Sequence, residues 1–405
     1  MKIQILESSI LFILVLNIFR TYYLINQWLM VVIAVPLMLF MFFSLPNFSK
    51  TQNIEKFKIF LVGFIALLLF GFMLGNQINY RINHHDTAII HDGIVQTEEA
   101  TRFILEGRNP YQETYEKVLK GERFYHNGKP DPVLSAYVYS PLMFIINIPF
   151  QMITANLFNF SDMRVTLMFV LLIAAFVASL VTSHKALFLS LFLFNPLVIH
   201  GIVLGANDTL ALFFLISSFT LLYFARVSLA TVFITLSAGT KLTVVPILIV
   251  YFLYLFLRFQ RKNQLKKMTK QIAIFSGVAL LIYLPFAIWD FGSLISDLIL
   301  FPIRGGEGGY PIVGFIGIPH LLATLGLISR WTDFPLYLFQ LPIILVGLVV
   351  VYQLLKKSLE PQTFCFVGVL FFILVFTTTR VFQPNYLDFI SAILIFAGFI
   401  KGKNS

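Results

Sequence analysis

Long uninterrupted apolar runs constrain this chain before anything else does. They lie near residues 8–25, 28–46, 57–76, 165–183, 186–204, 208–225, 228–257, 271–289, 334–355, 362–378 and 384–400, with two shorter ones near 139–153 and 311–328. About 20 apolar residues are enough for a helix to cross the hydrocarbon core of a bilayer, and several of these runs reach that length. Backbone polar groups in lipid must be satisfied internally, which leaves helices or a closed barrel. The runs are continuous rather than alternating, so they read as helices. Of the 405 residues, 58% are hydrophobic and only 12% are charged, a balance that excludes a soluble domain.

The net charge is +10. The Lys and Arg residues sit in short loops, which is the positive-inside pattern of a membrane protein, so nucleic acid is excluded as a partner. Arg258, Arg261, Lys262, Lys266, Lys267 and Lys270 mark one cytoplasmic loop, and Lys50, Lys56 and Lys58 a second. Lys185, Arg226, Lys356, Lys357, Lys401 and Lys403 are weaker markers of the same side. These markers agree under two conditions. The run 228–257 must be a helical hairpin broken near Gly239-Thr240-Lys241, and segments 139–153 and 311–328 must be re-entrant or half-buried. The resulting expectation is an all-α polytopic membrane protein with about twelve transmembrane helices, re-entrant pieces, both termini inside, and a large first external loop with short helices. Its divisions are N-terminal transmembrane helices over 1–76, an external loop over 77–138, and a transmembrane core over 139–405. Cys365 is the single cysteine, so an intramolecular disulfide is excluded. The first apolar run carries no small-residue cleavage site, so no cleavable signal peptide is expected.

The same topology gathers the unusual polar residues on the outer face. They come from the loop 77–138, the turn Gly205-Ala206-Asn207-Asp208, the hairpin tip at Lys241, the loop 290–310, and the stretch Arg380–Tyr386. Within the first loop a helix is expected from Gly93 to Glu106, with Asp92 as N-cap and Gly107 as C-cap. A carboxylate near a membrane surface can also serve as general base on a hydroxyl, with Asp92 and Asp86 as candidates. His84, His85 and His91 read as solvated loop residues or as ligands for a divalent cation, although their spacing matches no standard metal motif. No metal site and no cofactor are therefore assigned, a divalent cation being the one addition these residues would admit.

The string Asp92…Glu98-Glu99-Ala100…Leu105-Glu106-Gly107-Arg108-Asn109-Pro110-Tyr111 resembles the first external loop of the multi-spanning C-type glycosyltransferases, in particular the family-87 branch. Tyr139-Ser140-Pro141-Leu142, Asn195-Pro196, Gly205-Ala206-Asn207-Asp208, Lys241 with Pro246, and Pro384-Asn385-Tyr386 resemble further motifs of that family in the same order. Ser140 stands where the family has Pro, and Ala206 where it has Gln. The resemblance implies inverting transfer of a mannose-like sugar from a polyprenyl-phosphate donor to a hydroxyl of a glycan, glycolipid or protein. The active site would lie on the non-cytoplasmic face of a multi-pass protein of the plasma membrane.

By that likeness Asp92 is the base, with Asp86 as the other catalytic candidate. Glu98, Glu99, Asn109, Tyr111, Asn207, Asp208, Lys241, Arg304, Arg380 and Tyr386 are expected to bind substrate. Several have plainer readings. Glu98 and Glu99 fit a solvated helix face. Lys241 fits a side chain reaching the interface, or a ligand for the lipid phosphate. Arg304 precedes a glycine-rich string that can cradle phosphate or simply pair with Glu307. Arg380 fits an interfacial anchor, and Asp208 fits a helix cap, a partner orienting Lys241, or a ligand for sugar hydroxyls. Two other classes compete with the enzyme, a secondary transporter with broken helices and a buried charge, and a noncatalytic scaffold that would not need Asp92.

Overall fold

The computed structural model describes residues 2–21, 27–45, 51–84, 90–119, 124–126, 129–158, 160–304, 309–314, 316–332 and 334–402. Asp86, Glu307 and Lys403 lie outside the described residues. The chain is all-α, as its runs require. Helices α1 (Lys2–Thr21), α2 (Gln27–Phe43) and α3 (Gln52–His84) come first, then α4 (Asp92–Leu105) in the large loop. The core follows as α5 (Pro141–Phe158), α6 (Met163–Ser179), α7 (Lys185–Leu193), α8 (Pro196–Leu204), α9 (Asp208–Tyr223), α10 (Val227–Thr240), α11 (Val245–Arg261) and α12 (Lys266–Ile295). It closes with α13 (Phe301–Ile303), α14 (Ile318–Thr324), α15 (Tyr337–Lys357), α16 (Pro361–Phe376) and α17 (Asn385–Phe399). Among the described residues the strands are two-residue pieces. β1 (Tyr125–His126) pairs antiparallel with β2 (Lys129–Pro130), and β3 (Val313–Gly314) pairs parallel with β4 (Val381–Phe382).

Among the described residues four helices are long and apolar enough to cross a membrane: Gln52–His84, Leu242–Arg261, Lys266–Ile303 and Tyr337–Lys357. The pair α7 and α8, bent by 47° where Pro196 opens the second helix, makes a fifth if taken as one span. Helices α6, α9, α10, α16 and α17 have 14 to 17 residues. At 1.5 Å per residue they reach about 21–26 Å, less than the roughly 30 Å of hydrocarbon. They are short because polar residues stop them: Asn207 and Asp208 open α9, Lys241 closes α10, and Asn385 opens α17.

The run 228–257 does fold back on itself. Lys241 has an extended backbone, φ −149° and ψ 120°. The Thr231 and Tyr251 hydroxyls, ten positions either side of it in sequence, lie 2.7 Å apart. A continuous helix would hold them about 30 Å apart, so α10 and α11 form a hairpin with Lys241 at its tip.

Two expectations need correction. Residues 77–84 continue α3 instead of opening a loop, because Arg81 on that turn is held by two carboxylates. Residues 290–303 are helical instead of forming a loop. The chain kinks at Asp290 (φ −160°, ψ 98°), whose carboxylate accepts the Ser293 N–H at 3.1 Å and restarts the helix. Among its described residues, segment 311–328 holds β3 and the seven-residue α14, which is too short to span.

Most of the basic markers gather at one end of the bundle. Arg261 donates to the Lys356 carbonyl, Ala186 N–H to Glu55 at 3.4 Å, and Lys401 N–H to the Val181 carbonyl at 2.9 Å. Lys58 is the exception in kind, since its ammonium is buried against Glu7 and the Phe40 ring. The 17 residues of α11 span about 25 Å, which sets Arg258 and Arg261 at the opposite end from Lys241.

A buried network of four charges fastens α3, α4 and α6 together at the Lys241 end, with Arg164 reaching the Val203 carbonyl at 3.1 Å. Arg81 of α3 pairs with Glu98 of α4 at 2.6 Å and with Asp162 at 2.9 Å. Asp162 caps α6 by accepting the Arg164 N–H at 3.0 Å and pairs with the Arg164 guanidinium at 2.7 Å. Glu98 also accepts the Met163 N–H at 2.7 Å. Burial opposes the charge on Asp162, yet the Arg164 and Arg81 guanidiniums hold its carboxyl below the usual carboxylate range. Removing one partner of such a set strands its counter-charge away from water. Arg164→Ala is therefore expected to destabilise the protein by about 3–5 kcal/mol, read as a lowered thermal midpoint in detergent. A change within a degree of wild type would refute a structural role for the network.

Candidate active site

The N-terminus of α4 is docked onto the turn between α8 and α9. His91 N–H donates to the Leu204 carbonyl at 2.8 Å. Gly205 has φ +83°, a left-handed value that favours glycine, and a Cβ there would also meet Ile94 Cδ1 at 2.6 Å. A Cβ at Gly93 would overlap the Tyr139 hydroxyl. The Gly205–Asp208 motif is thus the platform on which the loop helix sits.

The cap of α4 differs by one residue from expectation. His91 is the N-cap, its Nδ1 accepting the Gly93 N–H at 3.0 Å, and Asp92 is the first helical residue. Asp92 Oδ1 accepts the same N–H at 2.8 Å. The cause is the Leu204 contact, which pins His91 in an extended conformation one step before Asp92. The C-cap is likewise one residue earlier than expected, at Glu106, and Gly107 follows it at φ +74°, with Arg108 N–H reaching the Phe103 carbonyl at 2.8 Å.

Asp92 borders two cavities. The first, of about 360 Å³, has Lys241, Arg380, Asn385 and Tyr386 on one part of its wall and Leu298, Pro302, Ile303 and Leu336 on another. The second, of about 400 Å³, is bounded by Phe124, Asp131, Leu204 and Val313. His91, Asp92, Tyr310 and Gln383 line both. The His91 and Asp92 side chains are 22% and 32% exposed, so both are accessible from the cavities. Burial, with the Asp92 charge adding to it, pushes the Tyr139 and Tyr310 phenols up, so both remain protonated donors at neutral pH.

Tyr310 is positioned by backbone pairing. β3 lies beside β4, Val313 N–H donates to the Arg380 carbonyl at 3.0 Å, and Gly314, at φ +110°, leaves room for the Phe382 carbonyl that a Cβ would strike.

Lys241 is only 7% exposed and Asp208 4%. The Lys241 ammonium donates to both Asp208 oxygens at 2.8 Å and to Asn207 Oδ1 at 3.0 Å. Asn385 Nδ2 donates to Asp208 in turn. The ammonium also lies 5.7 Å from the Tyr139 ring centroid and 5.5 Å from that of Tyr386. Lys241 therefore does not reach outward to an interface; it ties α9, α10 and α17 together beside the first cavity.

The other expected residues divide. Arg380 is buried at the cavity wall and donates to the Phe334 carbonyl at 2.8 Å. Arg304 is exposed at the end of α13 and does not line either cavity. Glu98 is taken up by Arg81 and Met163, and Glu99 pairs with Arg102 through a 2.9 Å bond. Asn109 caps the turn Pro110–Gln112, accepting the Tyr111 N–H at 3.2 Å. Tyr111 is buried and donates to the Tyr139 carbonyl at 2.8 Å, so it supports the wall without forming it. Sequence reasoning missed His91, Tyr139, Tyr310, Gln383 and Asn385 as cavity residues. Tyr139, Gln383 and Asn385 stand inside stretches already singled out there, beside the residues that were chosen. Among the described residues no three His, Cys, Asp or Glu side chains group as a metal site.

Residues 100–257 match a family model described as alpha-(1->6)-mannopyranosyltransferase, N-terminal domain (MptA_B family). No curated protein and no solved structure matches the chain. The matched segment contains Asn207, Asp208 and Lys241, and begins after Asp92.

Replacing either member of the buried pair alone, by Lys241→Met or Asp208→Asn, is expected to cost about 3–5 kcal/mol, and the double replacement less than the sum. Additive losses in a thermal double-mutant cycle would refute the pairing. Gly93→Ala, which in an ordinary helix interior would stabilise by up to about 1 kcal/mol, is expected to lower the thermal midpoint through its clash with Tyr139. A raised midpoint would show that the two do not press together.

Proposed function

We propose that this chain, a glycosyltransferase carrying a mannosyltransferase-family segment, moves a mannose-like sugar from a polyprenyl-phosphate donor to an acceptor hydroxyl, with inversion. The observation that carries the reading is the position of Asp92 on the wall common to two cavities. In an inverting displacement the acceptor oxygen attacks the anomeric carbon opposite the leaving group, and the base must lie beside that oxygen, where acceptor and donor meet. Donor in the first cavity and acceptor in the second meet that requirement at Asp92.

The character of the first cavity supports a lipid donor. Its polar part offers Lys241, Arg380 and Asn385 toward a phosphate, and its other wall is aliphatic. Next to it is a cavity of about 400 Å³ bounded by Ile318, Leu322, Phe334, Phe339 and Ile343, and Leu336 lines both. A polyprenyl chain suits such a path, because the aliphatic lining keeps it out of water as the bilayer does. Lys241, paired with Asp208, and Arg380 enter this scheme as two cations on the same stretch of wall, both toward the phosphate.

In the transfer step the acceptor oxygen gives its proton to Asp92 as it bonds to the anomeric carbon. The carbon–oxygen bond to phosphate breaks, and its electron pair leaves with the polyprenyl phosphate. Tyr139 and Tyr310, both protonated, are placed to donate hydrogen bonds to sugar oxygens, and Gln383 to donate or accept. Apolar walls exclude water from the anomeric carbon, which favours transfer over hydrolysis.

The same reading takes the site end of the bundle as the non-cytoplasmic face of the plasma membrane, with about twelve crossing segments and the basic end inside. Here the shorter helices count as crossings, with buried polar residues ending them on the site side. Acceptors compatible with the second cavity are glycans, glycolipids and glycosylated proteins.

The test is transfer from radiolabelled polyprenyl-phosphate mannose by purified wild type and Asp92→Asn. Removal of a general base is expected to lower the rate about 100- to 10,000-fold, with little change in the thermal midpoint because His91 still caps α4. Wild-type transfer by the variant would remove Asp92 from the mechanism.

A further inference from the structure

His91 stands next to the proposed base and has no part in the scheme above. Its Nδ1 lies 3.1 Å from Asp92 Oδ1. Both atoms accept the same Gly93 N–H, at 3.0 and 2.8 Å. An Nδ1 that accepts a hydrogen bond belongs to the tautomer with its proton on Nε2. In that state two lone pairs face each other across 3.1 Å, a contact that a proton between them would relieve. The ring borders both cavities and is partly exposed, and its backbone is fixed by the Leu204 carbonyl. The imidazole is therefore held at hydrogen-bond distance from the carboxylate, in a place open to water.

We propose that His91 is a positioning residue that takes the transferred proton from Asp92 and passes it to water. The inference rests on Asp92 being the base. After transfer Asp92 carries the acceptor's proton as a carboxylic acid, and its O–H donates toward Nδ1. The proton moves to Nδ1, which leaves an imidazolium beside a carboxylate. The Nε2 proton then passes to a cavity water, and the ring returns to its starting tautomer by exchange with solvent. One proton leaves the acceptor and one reaches water, and no other reactant is consumed.

The groups that face this pair come from several elements. Asp131 and Tyr310 lie across the second cavity. Lys241, Arg380, Tyr139, Tyr337 and Tyr386 lie around the first. Lys241 is balanced by Asp208, so Asp92 is the carboxylate nearest to His91 in the described geometry.

The sign of the pH effect follows. When His91 is already protonated, Nδ1 donates to Asp92 and occupies the oxygen that must receive the acceptor's proton. Activity of wild type should fall as acid protonates the ring.

Two variants separate the relay from the cap. Asn is a good N-cap, so His91→Asn keeps a side-chain acceptor for the Gly93 N–H while removing the titrating group. His91→Ala removes both. The assay uses radiolabelled polyprenyl-phosphate mannose as donor and octyl α-mannoside as acceptor, across a pH series, with thermal midpoints measured alongside. His91→Asn is expected to keep the wild-type midpoint and KM. Its kcat should fall roughly tenfold or more, and the acid limb of its profile should move to lower pH. His91→Ala should lose stability as well. Wild-type kcat and an unmoved acid limb in His91→Asn would overturn the relay and leave His91 a cap alone. Asp92→Asn run in parallel distinguishes the two ideas: if it retains transfer, or if wild type transfers nothing from this donor, the underlying reading fails; if only Asp92→Asn is impaired, the relay fails by itself.

Discussion

An ammonium enclosed by apolar helices costs several kcal/mol unless a counter-charge and hydrogen bonds accompany it. Lys241 meets that requirement with Asp208, Asn207 and, through Asp208, Asn385. These partners come from α9 and α17, while Lys241 itself breaks the hairpin of α10 and α11. Satisfying one charge therefore brings three remote parts of the chain to one point. The same arrangement explains why several helices stop short there, since each ends on a residue that takes part. The cavity lies beside this meeting point, and the rings of Tyr139 and Tyr386 close over the ammonium.

The loop helix α4 is held from both ends by unrelated means. Its N-terminus rests on the α8–α9 turn through His91, Gly93 and Ile94, where the motif glycine at 205 permits close approach. Further along, Glu98 locks it to α3 and α6 through Arg81 and the Met163 N–H. A carboxylate at the first helical position thus inherits a fixed orientation from contacts that lie outside the cavity. That division leaves Asp92 without an ion pair to Lys or Arg among the described residues, so its charge faces the cavity.

Much of this was legible in the sequence. The apolar runs announced the helices, and the positive-inside count required a break at Lys241, which the Thr231–Tyr251 contact bears out. What escaped was the share of each polar residue. Glu98 and Glu99 look alike in sequence, yet one is buried against Arg81 and the other pairs locally with Arg102, a difference set by which face of α4 meets α3 and α6. His91 became the cap because a distant carbonyl, that of Leu204, claims its N–H, and no local pattern encodes that. The cavity wall also depends on a parallel pairing between residues far apart in the chain, β3 and β4, which two-residue strands leave no periodic signal to find. Adjacent residues of one motif share the work: Asn385 holds Asp208, and both it and Tyr386 line the wall.

The length of α3 has a consequence for the whole assembly. Thirty-three residues make a rod of about 50 Å, against roughly 30 Å of hydrocarbon, so one end projects from the bilayer with Arg81 on it. A helix longer than its membrane responds to thickness by tilting. Because Arg81 is clamped to Glu98, tilt of this rod would be passed sideways to α4. The lipid around the protein, by its thickness alone, thus has a mechanical route to the carboxylate at the junction of the two cavities.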